Sequence, residues 1–113
     1  MLQKIKFALF WRSFKNTVRD VCKENHFPSA LIARILASLE GQKQRTFADF
    51  RRCSGREFLV KAAGAIDTTF NMTLRKEYLK FGIRKDDWIE TRNQILAEVV
   101  GDKHKELVVD PNI

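Results

Sequence analysis

KIKFALFWRSFKNTVRDVCK, residues 4–23, places apolar side chains at Phe7, Phe10, Trp11, Phe14, Val18, Val21 and Cys22. Steps of three and four draw one stripe along an α-helix, whereas strand alternation would scatter it over two faces. The opposite side carries Lys4, Arg12, Lys15, Arg19 and Lys23, so a helix from about Gln3 to Asn25 has an aromatic face and a basic face. Phe27-Pro28 ends it, because the residue before a proline is pushed out of the α region.

The same spacing recurs downstream. A second helix begins near Pro28 or Ser29, carries Leu31, Ile32, Ile35, Leu36 and Leu39, and stops at Gly41, read as a left-handed C′ residue. Thr46-Phe-Ala-Asp49 and Ser54-Gly-Arg-Glu57 read as capping boxes. The first opens a short helix to about Cys53; the second opens one through Phe58, Leu59, Ala62 and Ala63 toward Gly64. From Asp67 or Thr68, the spacing of Phe70, Leu74, Tyr78 and Phe81 predicts a helix ending at Gly82. Asp87-Trp-Ile-Glu90 caps a last helix burying Trp88, Ile95, Leu96, Val99 and Val100. Leu107-Val108-Val109 reads as a final turn or a short extended piece, and residues 110–113 as a tail.

The fold expected is all-α, a single compact domain of five or six helices over residues 1–109. Nine Phe and two Trp supply an aromatic-rich core. Short apolar runs at Phe58–Val60 and Leu107–Val109 leave a small α+β arrangement as the alternative.

A chain of 113 residues with 44% apolar side chains, 5 Gly and 2 Pro holds enough hydrophobe for one core and excludes a large multidomain enzyme. Its longest apolar runs, Phe7–Trp11 and Ala62–Ile66, are far short of the about 20 residues that span a bilayer. Lys4 and Lys6 precede an apolar patch that Arg12 closes, with no small-residue cleavage site after it, so a mature cytoplasmic protein is expected. Cys22 and Cys53 offer one conceivable bridge, which is no disulfide framework, and reduced thiols are the expectation.

Lys and Arg number 21 against 14 Asp and Glu, a net charge of +7 that favours a polyanionic partner. The charge is uneven: +4 over residues 1–41, +5 over 42–82 and −2 over 83–113. Lys43, Arg45, Arg51, Arg52 and Arg56 against the single Asp49 form the densest block, near helix starts whose N–H groups also favour phosphate. The plainer account of this block is a solvated helix face.

Residues 56–72, with FLVKAAGAIDTTF at their centre, resemble the core of a helix-turn-helix. In that register Leu59 and Ala63 face the core, Gly64 makes the turn, Ala65 packs and Phe70 anchors the second helix. The phrase looks most like the DNA-binding segment of TetR-type repressors, over 17 of the 113 residues and with departures at Val60 and Thr73. What the resemblance implies is a helix starting near residue 68 that offers Thr68, Thr69, Asn71, Arg75 and Lys76 to the major groove. Asn71 suits adenine there, and Arg75 guanine or phosphate. An ordinary helix pair with a Gly corner accounts for the same residues.

Other chemistry has less to stand on. Cys22 and His26 share a helical spacing and invite a zinc site with Cys53 and His104, yet no CxxC or HxxxH pair accompanies them. A metal-free, cofactor-free protein is therefore expected. His26 and His104 lie in no catalytic motif, Asp86-Asp87 reads as helix capping, and there is no phosphate loop or dinucleotide fingerprint, so no enzyme is expected. The function expected is a small non-catalytic nucleic-acid-binding protein using residues 43–56 and the helix near 68. The alternative is a protein-interaction module or regulatory adaptor docking through its aromatic N-terminal helix or its acidic C-terminal helix. The basic aromatic first helix also has the composition to lie on an anionic membrane, although a domain of this size needs that stripe inside.

Overall fold

A computed structural model describes residues 2–101; the readings placed on His104, Leu107–Val109 and residues 110–113 lie outside them. Among the described residues the protein is all-α, with six α-helices and no strand. They are α1 (Leu2–Glu24), α2 (Ser29–Glu40), α3 (Lys43–Arg52), α4 (Gly55–Asp67), α5 (Glu77–Lys80) and α6 (Lys85–Val100). A π-helical segment, Thr68–Thr73, continues directly from α4. The Phe58–Val60 run lies within α4, which removes the strand considered for it.

The stripe on α1 does what its spacing demands. Phe7, Phe10, Trp11, Phe14, Val18, Val21 and Cys22 are all buried, and the other helices pack around them. Phe7 lies 4.8 Å from Phe47 and 5.5 Å from Phe50, and Phe10 meets Phe58 edge-on at 4.9 Å, so α3 and the start of α4 close over the first third of α1. At the other end Phe27 meets Tyr78 at 6.3 Å, and Tyr78 stacks on Trp88 at 4.9 Å with planes 8° apart. Truncating one such buried ring to Ala costs about 3–5 kcal/mol, so each aromatic group pins its end of the bundle.

Helix ends depart from several expectations. α1 stops before Phe27-Pro28, in a Schellman motif: Phe27 donates to the Cys22 carbonyl and His26 to that of Lys23, both at 3.0 Å. His26 itself takes the left-handed φ of 63°, a site where glycine is usual. Gly82 fills the equivalent position after α5 with φ 72°, as expected, and Ile83 and Gly82 donate to Tyr78 and Leu79. Gly41, by contrast, is right-handed, since the chain turns directly into α3.

Neither of the two expected capping boxes forms, nor does the cap expected at Asp87. α3 begins at Lys43, and Thr46 sits inside it, its buried hydroxyl donating to the Gln42 carbonyl at 2.9 Å. Ser54 occupies the N-cap position of α4 without a side-chain bond. α6 starts at Lys85, which puts Asp87 inside its first turn, where the Thr91 hydroxyl donates to the Asp87 carbonyl at 3.0 Å. Leu96 and Val100 are only partly buried there.

The corner expected at Gly64 is absent. α4 runs straight through that residue, which is exposed, and Ala63 is half-buried. Downstream of Asp67 the chain widens to i→i+5 bonding, with the Leu74 N–H on the Thr69 carbonyl at 3.1 Å. No separate α-helix starts near residue 68: the helix expected from there to Gly82 is instead the π-helical continuation Thr68–Thr73 followed, after a turn, by the short α5, and the segment resembling a TetR-type unit lacks its corner. Gly64 is tolerated mid-helix because helical hydrogen bonds and the apolar run Ala62, Ala65, Ile66 on one face outweigh its local cost of about 1 kcal/mol.

Candidate nucleic-acid interface

The residues expected at the interface fall into three groups. The first is on α3 and the start of α4. Arg45, Arg51, Arg52 and Arg56 are exposed and Lys43 is half-buried. Arg52 reaches Asp49 one turn back at 3.4 Å, and the Arg51 guanidinium lies 5.1 Å over the Phe47 ring. Among the described residues Lys43, Arg45, Arg51 and Arg56 form no ion pair. Lys43 instead shares a shallow cleft with Lys4, floored by Phe7, Ala8 and Phe47. The fold thus adds Lys4 to the basic block across 39 positions of sequence, a neighbour that linear spacing gave no sign of.

Just beyond this group Glu40 accepts from both Lys15 at 2.8 Å and the Trp11 indole at 3.0 Å. These two bonds, that from Lys15 foremost, hold its carboxyl below its usual pKa. Glu40 stays a carboxylate bonded to Lys15 and Trp11 of α1, and of the α3 cations only the charge of Lys43 acts on it.

In the second group, Thr68, Thr69 and Asn71, the last two bond inside the fold. Thr69 is 0% exposed, and its hydroxyl accepts from Gln42 Nε2 at 2.8 Å and shares a bond with Ser38 at 3.1 Å. It ties the π-helical segment to α2 and cannot reach a groove. Asn71 is half-buried and accepts from Arg92 Nη1 at 2.8 Å. Arg92 also donates to Asn93 at 3.2 Å, lies 3.9 Å from Asp67 and sits 5.9 Å over Trp88. This cross-brace between α6 and the end of α4 uses the carboxamide that the helix-turn-helix reading assigned to a base. Thr68 is half-buried beside it.

The third group, Arg75 and Lys76, is exposed but lies elsewhere. Arg75 lines a cleft with Lys85, Leu79 and Ile83 over the Tyr78–Trp88 stack. That stack meets Phe27 beyond the C-terminal end of α1, whereas α3 meets Phe7 near its N-terminal end. The helical rise from Phe7 to Glu24 puts roughly 25 Å between the two ends. The cations expected at the interface therefore fall at two ends of α1 rather than at one place.

The groups considered for other chemistry are dispersed. Cys22 is fully buried and desolvation pushes its thiol up to about 12, while His26 sits exposed beyond the helix end. Among the described residues no three His, Cys, Asp or Glu side chains come together to hold a metal ion, and no helix is long and apolar enough to cross a membrane. Comparison with known proteins brings no identity: no family model, no curated protein and no solved structure matches this chain.

Proposed function

We propose that the protein is a small, non-catalytic cytoplasmic protein that binds nucleic acid through the phosphate backbone. The contact surface is α3 with the first turn of α4 and the neighbouring start of α1: Lys4, Lys43, Arg45, Arg51, Arg52 and Arg56. The observation that carries this reading is the absence of ion pairs at Lys43, Arg45, Arg51 and Arg56 among the described residues, on a surface where α1 contributes a further lysine. Unpaired surface cations that close together raise the local potential, and each phosphate they neutralise releases counterions.

Base edges are not read by Thr69 and Asn71, since both are engaged inside the fold. Binding is then expected to be tolerant of sequence. The test is titration of labelled single- and double-stranded DNA and RNA at two salt concentrations. Binding should weaken by a log–log slope of about 0.7–0.9 per phosphate contact. Failure to bind any of them at about 50 mM salt, where such contacts are strongest, removes the proposal.

A second reading, a protein-interaction module, is favoured by the opposite end of the molecule. There Leu79 is exposed beside the Arg75–Lys85 cleft, Met72 is exposed on the π-helical segment, and α6 presents Asp86, Asp87 and Glu90. The aromatic face of α1 has no part in it, because that face is the core.

A further inference from the structure

Six large hydrophobic side chains are exposed among the described residues, and three of them lie on one strip of α1: Leu2 at 61%, Ile5 at 59% and Leu9 at 50%. Their spacing of three and four is the helical repeat, so they form a ridge, and 100° per residue sets that ridge opposite the buried face of Phe7, Phe10, Trp11 and Phe14. The first two and a half turns of α1 are thus apolar on both sides, although the domain covers only one of them. Contacts to phosphate give no reason for this second strip, which makes it a feature independent of the nucleic-acid reading.

Charge decides what the ridge faces. Lys6 and Arg12 lie about 60° to either side of it. The chain carries Lys4, Lys6, Arg12, Lys15 and Arg19 before its first acidic residue, Asp20. A second copy of the same ridge would bring Lys6 and Arg12 of both chains together with no carboxylate to meet them. The ridge also stands on the solvent-exposed side of the helix. An apolar strip bordered by cations on an exposed helix face matches an interface whose outer layer is anionic and whose interior is hydrocarbon.

We propose that the Leu2–Ile5–Leu9 ridge seats the N-terminal end of α1 on an anionic lipid surface. The helix lies in the plane of the interface, with these three side chains reaching below the headgroups while Lys6 and Arg12 meet lipid phosphates and carboxylates. Nothing in this arrangement spans the bilayer.

The experiment is co-sedimentation of the whole protein with vesicles of phosphatidylcholine alone or mixed with phosphatidylserine. The wild-type protein should bind the mixed vesicles and leave the neutral ones largely unbound. Ile5→Ser combined with Leu9→Ser should weaken binding to the mixed vesicles roughly tenfold or more, with the helical circular dichroism spectrum and melting temperature retained. Leu2→Ser with Leu9→Ser serves as a second variant should the first pair melt early. Absence of wild-type binding to the mixed vesicles overturns the proposal. So does undiminished binding by a folded ridge variant, which would mean that charge alone holds the protein there. A wild-type dimer in sedimentation that the same substitutions dissociate would assign the ridge to self-association and overturn it as well.

Discussion

The ring of Phe7 lies 4.8 Å from that of Phe47, in the contact that sets the start of α3 against the N-terminal end of α1. It brings Lys43 beside Lys4 in one cleft, and it leaves Arg75 and Lys76 at the far end of α1, where Phe27 meets Tyr78. Aromatic packing has thereby divided charges that are near neighbours in net count into two surfaces that act separately.

Thr69→Val should destabilise the protein by about 1–2 kcal/mol, because it strips Gln42 Nε2 of its closest acceptor and leaves the half-buried Ser38 hydroxyl without its partner. Asn71→Ala should cost about 1 kcal/mol by removing one acceptor from Arg92, whose Nε makes no hydrogen bond and only a long ion pair to Asp67. Chemical denaturation measures both. Neither change should alter sequence preference in a binding titration; a shift in preference would restore a groove-reading role to that residue.

His26→Gly should stabilise the protein by up to about 1 kcal/mol. The residue is exposed and holds a φ of 63°, which a Cβ disfavours by about 1–2 kcal/mol, partly offset by the greater freedom of glycine in the unfolded chain. The readout is the urea midpoint at unchanged slope. A loss of stability would mean that the imidazole makes a contribution larger than the backbone cost.

Cys22 gives the protein an alkaline limit. Burial raises its thiol from 9 to about 12 in the folded state, so the native protein holds a proton that the unfolded chain releases. The contribution is fully present below pH 9 and declines as pH rises from 9 to 12, by about 1.4 kcal/mol per pH unit for one group. Tyr78, also raised by burial, acts in the same direction at higher pH. Cys22→Ala should flatten the decline between pH 9 and 12 relative to wild type. Equal slopes for the two proteins in that window would contradict this account.

What the sequence disclosed was what depends on near neighbours. The α1 stripe from Phe7 to Cys22 and the left-handed Gly82 each follow from spacing or conformational freedom within a few residues, and both hold in the structure. The boxes at Thr46 and Asp87 also looked local. Upstream residues instead joined each helix first, at Lys43 and Lys85, and turned the intended caps into interior positions. Gly64 makes no corner because a glycine marks a turn only when the flanking segments pack at an angle, and here Ala62, Ala65 and Ile66 bury along one continuous helix. The site depended most on distant pairs. Gln42 with Thr69, Asn71 with Arg92, and Lys4 beside Lys43 are 27, 21 and 39 positions apart. No periodicity in the chain encodes such partnerships.

The separation of the two basic surfaces makes the central claim directly measurable. Salt-dependent binding of a labelled oligonucleotide should be compared for wild type, Arg51→Ala with Arg56→Ala, and Arg75→Ala with Lys76→Ala. The account predicts that the first pair lowers the log–log salt slope by up to about two contacts and weakens binding, while the second pair leaves the slope within error of wild type. Equal losses from both pairs, or a loss confined to Arg75 and Lys76, would contradict it.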